Sequence, residues 1–174
     1  MIRRCSESDF GTIHEIINDA AQAYRGIIPP DRWHEPYMST DELSNEIGDG
    51  VIFWGAERDG AFAAVMGIQD RGEVTLIRHA YVRTRLQGQG IGTALLRRLE
   101  EMTDKPILIG TWADATWAVS FYQKNGYSLV TKREKDLLLK RYWRIPDRQV
   151  ETSVVLADAA GMRALSAGRL AAPV

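Results

Sequence analysis

Between residues 87 and 92 the chain reads Gln-Gly-Gln-Gly-Ile-Gly, with glycine at every second position. The segment follows an apolar run, Val74 to Val82, and opens an amphipathic one marked by Ile91, Ala94, Leu95, Leu99 and Met102. The first four N–H groups of a helix have no intrahelical carbonyl, and the helix dipole adds roughly +0.5 charge at that end. Glycines leave those groups reachable, so the segment is a cradle for phosphate. Two common phosphate loops do not fit. The chain holds no Gly-Lys dipeptide, which a P-loop requires, and a dinucleotide fingerprint would place its third glycine where Thr93 stands. That fingerprint also belongs to a first βαβ unit, whereas roughly 80 residues precede this loop. Each glycine inside a helix costs roughly 0.5–1 kcal/mol against alanine, so Gly90 and Gly92 point to a close backbone approach.

The elements around the loop follow from apolar periodicity and turn residues. Ile2 to Cys5 reads as a short strand, and Ser6 with Asp9 as a capping pair for a helix running to Tyr24. Residues 26–38, with Pro29, Pro30 and Pro36, form an ordered loop with one helical turn. Ser39 and Glu42 cap a short helix to Ile47. Strands are expected at 51–56, 61–68 and 73–83, the last being the longest, with an Asp59-Gly60 turn between the first two. The helix after the loop ends near Thr103, and a buried strand follows at 106–112. Residues 115–125 are helical, 127–130 extended, 132–142 helical again, and 150–156 form a last strand. Hairpin strands followed by crossovers give an α/β (α+β) fold: a mixed, mostly antiparallel sheet flanked by helices, with an extra helix before the last strand.

With 174 residues and ordinary apolar content, the chain suits one domain, placed at 1–157. Residues 158–174, rich in Ala and Gly, read as a loosely held and disordered tail. A net charge of −1 gives no support to bulk nucleic-acid binding, which usually shows as a basic face. The single cysteine, Cys5, rules out an internal disulfide and fits a reducing compartment. The first residues are polar rather than signal-like, and no run approaches the ~20 apolar residues of a membrane helix. The expectation is cytoplasmic, with no membrane and no nucleic-acid partner. His14, His34 and His79 are scattered without ligand spacing, so no metal site is expected.

Tyr81-Val82 followed by Gln87 to Leu96 resembles the acetyl-CoA loop of the GNAT superfamily of N-acetyltransferases, whose pattern Gln/Arg-x-x-Gly-x-Gly/Ala is met by Gln87, Gly90 and Gly92. A second segment, Ala118 to Tyr127, resembles the family's Ala-x-x-(Leu/Phe)-Tyr-x-(Lys/Arg)-x-Gly-(Phe/Tyr) signature. The N-terminal Ile2-Arg3 and Ser6-x-x-Asp9 pattern also fits, and the likeness spans about residues 2–157.

The resemblance implies a site. The CoA pyrophosphate would lie on the backbone N–H groups of Gln87, Gly88, Gln89, Gly90, Ile91, Gly92 and Thr93, with the Thr93 hydroxyl as a further donor. Val82 would pair with the pantetheine arm as an added strand. Arg83 or Arg85 would meet a phosphate. Tyr122 matches the tyrosine that protonates the departing thiolate; a thiol pKa near 8.5 against a phenol near 10 makes that transfer mildly uphill. Backbone N–H on the central strand would polarise the thioester carbonyl. Many members carry Asn where this chain has Ala115, which leaves that contact to Asp114 or Thr116 or removes it.

The base is open between Glu73, acting through water, and His79. An alkyl ammonium of pKa about 10 is neutral in only about one molecule in a thousand at pH 7, so a base is needed. Strand alternation puts Arg78 on one face with Leu76, Ala80 and Val82, and His79 on the other with Ile77 and Tyr81. The acceptor wall is expected from Tyr24, Arg25, Trp33, His34, Tyr37, Arg78, Trp112, Trp117 and Trp143. Its aromatic character points to a modest primary amine. The helix 132–144 would cover that pocket or form a dimer contact, and a homodimer stays open. Two rivals are a non-catalytic acyl-CoA-binding module and a protein N-terminal or lysine acetyltransferase.

Overall fold

Ile2–Arg4 forms β1, and the Ser6/Asp9 pair then opens a 3₁₀ turn: the Ser6 N–H donates to Asp9 Oδ2 at 2.7 Å. The helix α1 (Phe10–Ala21) follows, burying Ile13, Ile16, Ile17, Ala20 and Ala21 at helical spacing. It tightens into a 3₁₀ turn through Tyr24. The helix α2 (Thr40–Gly48) starts at a full capping box, with Glu42 N–H on Ser39 Oγ at 3.1 Å and Ser39 N–H on Glu42 Oε2 at 2.8 Å. Strands β2 (Ile52–Arg58), β3 (Ala61–Asp70) and β4 (Thr75–Val82) come next, then α3 (Ile91–Glu100). The remaining elements are β5 (Ile107–Trp112), α4 (Thr116–Lys124), β6 (Ser128–Leu129), α5 (Lys132–Tyr142), α6 (Asp147–Thr152), β7 (Ser153–Ala157) and α7 (Ala159–Ser166). This computed structural model describes residues 1–170.

The chain divides into two units: Met1–Arg25 with Trp33–Asp70 and Ile77–Asp104, and Gly26–Arg32 with Arg71–Leu76 and the chain from Lys105. In the first, strands run in the order β1-β2-β3-β4, with β1/β2 and β2/β3 antiparallel. Its core joins Ile13, Ile16 and Ile17 of α1 to Leu43 of α2 and Phe53, Phe62 and Val65 of the strands. Helix α3 buries Ile91, Leu95, Leu96 and Leu99, each worth about 1.5–3 kcal/mol on burial. In the second unit β7 lies between β5 and β6, antiparallel to both. Its core gathers Leu108, Leu138, Leu139, Tyr142, Trp143, Val150, Val155, Ala164 and Leu165. The architecture is the expected one, a mixed and mostly antiparallel sheet with flanking helices.

Three local expectations are corrected. The longest strand is β3, because Arg71 N–H bonds to Val74 O at 2.9 Å and holds Glu73 in a turn ahead of β4. The last strand begins at Ser153: Pro146 O accepts from the N–H groups of Gln149 and Val150, so 150–152 complete a helical turn. Residues 158–170 are not a loose tail. Asp158 Oδ1 caps α7 through Gly161 N–H at 2.7 Å and also accepts Ile107 N–H at 3.1 Å, while Ala164, Leu165 and Leu170 enter the core. The rest of that stretch, 171–174, lies outside the described residues.

Asp158→Ala removes both hydrogen bonds at once. It should lower unfolding free energy by about 1–3 kcal/mol in urea titrations, where a loose tail would give no change.

Candidate active site

The strand β4 passes through Arg83 into a 3₁₀ turn, Thr84–Leu86, pinned by Thr84 N–H on Asp19 Oδ2 at 2.7 Å. The loop then turns on Gly88 and Gly90, with φ of +75° and +78°. Gly90 is the residue that starts α3, and a Cβ at either position would meet open space. These two glycines are therefore required by the left-handed backbone, which costs an L residue roughly 1–2 kcal/mol, rather than by crowding. The first backbone bond of α3 runs from Ala94 N–H to Gly90 O at 3.0 Å. Among the described residues no carbonyl accepts from the N–H groups of Gly88 through Thr93. Six successive donors stand at the positive end of a helix, with Gln87 to Gly90 exposed. That is the donor chemistry a pyrophosphate requires.

The neighbouring side chains divide into committed and uncommitted groups. Arg83 is committed: its Nε donates to Phe62 O at 2.8 Å and its Nη1 to Glu15 Oε1 at 2.6 Å. The guanidinium expected at a phosphate is thus engaged by partners within the chain. Arg85 is exposed and makes no hydrogen bond or ion pair among the described residues. Gln87 Nε2 donates to Val82 O at 3.2 Å, and Gln89 Oε1 accepts from Arg58 at 3.3 Å.

The alternation expected along β4 fails at His79, whose φ is +52°. Left-handed backbone breaks the period of two, so Arg78 and His79 both reach Glu46 of α2 instead of pointing to opposite faces. Arg78 Nη1 lies 2.7 Å from Glu46 Oε2, and Nη2 donates to Oε1 at 3.2 Å. His79 Nε2 lies 3.1 Å from Glu46 Oε2, with the Phe53 ring stacked at 6.0 Å. Gly67 of β3 faces this point; a Cβ there would stand 3.1 Å from Arg78 O and 2.6 Å from Val51 Cγ1. Arg78, expected to bind acceptor, is instead held by Glu46 and by Gln69 Oε1 at 3.2 Å. Burial pushes the His79 pKa below its ordinary value, against the pull of Glu46. The Glu46 carboxyl is pushed up by burial, but His79 and the Arg78 charge outweigh that and hold it low.

An aromatic group stands in the same unit. Tyr24 packs on Tyr37 at 5.2 Å and on Tyr81 at 6.3 Å, and Trp33 stacks on Tyr37 at 6.0 Å. His34 stacks on the same ring at 6.4 Å.

The second unit holds Tyr122, Glu73 and Trp112. Tyr122 is buried on α4, in edge contact with Phe121 and Tyr127 at 5.1 and 6.1 Å. Its hydroxyl has no hydrogen-bond partner among the described residues, although buried tyrosines usually find one. Burial raises its pKa, so the phenol keeps its proton. Glu73 is engaged: its Oε2 accepts from the Tyr142 hydroxyl at 2.6 Å and pairs with Arg141 at 2.8 Å. Burial, then that hydrogen bond, pushes the Tyr142 phenol up to about 12. Trp112 is buried in β5, and Trp143 packs over Gly110, 3.2 Å from where a Cβ would stand. Ala115, the position the resemblance put in question, is a fully buried methyl. Helix α5 turns Lys135, Leu138, Leu139 and Tyr142 inward, which makes it core. Glu46 escaped the sequence reading. Its one signal was its place three residues after Leu43, on the inward side of a short helix.

The GNAT acetyltransferase domain matches residues 14–136, well over half of the chain. The chain belongs to the GNAT acetyltransferase family. It is an acetyl-CoA-dependent acetyltransferase, and the bare amides of the glycine loop suit that co-substrate. Among solved structures it is similar to the PaiA N-acetyltransferase of Thermoplasma acidophilum in complex with coenzyme A. The two are 20% identical over 91% of this chain and 97% of that one, with a TM-score of 0.69. The ribosomal-protein-S18-alanine N-acetyltransferase of Escherichia coli is 18% identical over 93% and 94%, with a TM-score of 0.64. The IAA acetyltransferase of Bacillus cereus is 20% identical over 91% and 97%, with a TM-score of 0.63. A search of curated proteins finds no match. Among the described residues no helix is long and apolar enough to cross a membrane, and no group of three or more His, Cys, Asp or Glu is placed to hold a metal.

Gly90→Ala should raise the CoA dissociation constant about 5- to 30-fold by calorimetry, the equivalent of the 1–2 kcal/mol left-handed penalty. Arg85→Ala should weaken CoA binding and flatten its salt dependence. Arg83→Ala should instead lower the melting temperature.

Proposed function

We propose that this GNAT enzyme acetylates the primary amine of a small molecule by direct attack on the thioester. The observation that carries the acceptor class is the aromatic group of Tyr24, Trp33, Tyr37 and Tyr81, drawn from the loop after α1 and from β4. Rings with flat faces suit a compact amine with apolar body, and cation–π attraction adds about 0.5–2 kcal/mol for its ammonium. The similar structures carry both kinds of acceptor in their names, a ribosomal protein and IAA, so they leave the choice to the site.

The chain's residues divide the work as follows. The N–H groups of Gly88 to Thr93 hold the CoA phosphates, with Arg85 as the available cation. Val82 offers its backbone to the pantetheine arm once Gln87 releases its carbonyl. His79, neutral at pH 7, takes the ammonium proton and passes it to solvent; the freed amine forms the C–N bond, the C–S bond breaks as the tetrahedral intermediate collapses, and the second nitrogen proton leaves to solvent. Tyr122 gives its phenolic proton to the departing sulfur and recovers one from solvent. A raised phenol pKa makes Tyr122 a weaker acid, but a poorly solvated thiolate is a stronger base too, which narrows the gap. Glu73 is set aside as the base because Tyr142 and Arg141 already occupy its carboxylate.

Free thiol release over a panel of aryl- and alkyl-amines tests the reading. Tyr122→Phe should lower kcat by about 10²-fold or more with CoA affinity kept. Acetylation of peptide N-termini or lysines with no free amine accepted would move the enzyme to protein substrates. CoA binding with no amine raising turnover above hydrolysis would reduce it to a binding module.

A further inference from the structure

We infer that Glu46 is a positioning residue for the base: it holds His79 as the tautomer protonated at Nε2, which makes Nδ1 the atom that receives the acceptor's proton. This rests on the acetyl-transfer reading above.

The argument begins with what each atom can do. An ionised carboxylate only accepts, and Glu46 is kept ionised by the Arg78 guanidinium at 2.7 and 3.2 Å on its two oxygens. The ring nitrogen 3.1 Å from Glu46 Oε2 is Nε2, so in the neutral imidazole Nε2 carries the hydrogen. The lone pair is then on Nδ1, and among the described residues nothing hydrogen-bonds to that atom.

The backbone and the packing make the pairing specific. The left-handed φ of +52° at His79 brings its ring to the same carboxylate as its neighbour Arg78. Strained residues of this kind persist only where their surroundings hold them, and they gather at functional sites. Phe53 stacks on the ring with an interplanar angle of 28° and limits its rotation. Gln69, buried in β3, accepts from Arg78 at 3.2 Å and donates to Asp49 O at 2.8 Å, so Arg78 cannot easily leave Glu46. The charged groups facing the imidazole are Glu46 and Glu42 of α2 and Arg78 of its own strand; Asp49, at the end of α2, acts on Glu46. Phe53, from β2, does not titrate.

The test pairs ¹⁵N-histidine NMR of the free enzyme with pH–rate profiles for wild type and Glu46→Gln. In the wild type Nδ1 should be unprotonated near neutral pH. In Glu46→Gln the tautomers should mix and kcat should fall about 10-fold or more, up to the ~10²–10⁴ that general acid–base catalysis supplies as a whole. The KM for acetyl-CoA should hold. The acidic limb of kcat/KM should move to lower pH, because losing the negative charge disfavours the imidazolium. Glu46→Asp keeps the charge and should retain the tautomer, which guards against a fold defect in the glutamine variant. A wild-type His79 protonated at Nδ1, or an acidic limb and kcat indifferent to Glu46→Gln, would overturn the assignment while leaving acetyl transfer intact. A wild type that acetylates no amine would overturn both.

Discussion

The structure is organised around a row of backbone donors that the protein leaves without acceptors. Residues 88–93 present six N–H groups at the start of α3, and no carbonyl of the described chain meets them. A helix start can be capped cheaply by Ser, Thr, Asp or Asn. Here Gly90 stands at the cap instead, in left-handed backbone. The helix behind is anchored by Ile91, Leu95, Leu96 and Leu99, and the turn before it by Asp19 and by the Arg83 bonds. The donors are thus fixed on both sides and left to a ligand. An anion bound there replaces water on groups already in position, so little ordering cost is added on binding.

The strand leading to the loop carries the second departure from regularity. At His79 the ladder's period is interrupted, and two residues that a regular strand would separate meet the same carboxylate. A half-buried carboxylate between a guanidinium and an imidazole resolves into one ion pair and one neutral ring, since partial burial disfavours a third charge. The neutral ring is the one able to accept a proton at physiological pH. In the proposed mechanism, backbone irregularity and proton chemistry are the same feature.

Much of this was legible from the residues. The glycine loop, the capping pairs at Ser6 and Ser39, the Asp59-Gly60 turn and the helix from Lys132 to Tyr142 all follow local rules of spacing and turn chemistry. Their partners in sequence lie within a few positions. What escaped depends on distant partners. Glu46 and His79 are 33 residues apart, and a positive φ at a histidine has no spacing signal. The partner that engages the Glu73 carboxylate, Tyr142, lies 69 residues downstream. Arg83 and Arg85 look equivalent in sequence, and only Glu15 and the Phe62 carbonyl separate them. The Ala-rich stretch after Ala157 has few large apolar residues, so its packing through Leu165 and Leu170 was easy to miss.

Amide-resolved NMR addresses directly the proposal that the bare amides hold CoA. Titrating coenzyme A into ¹⁵N-labelled protein should move the amide resonances of Gly88 through Thr93 most, and slow their exchange with solvent as each N–H gains a phosphate oxygen. Saturable CoA binding that leaves those six resonances and their exchange rates unchanged would contradict the account.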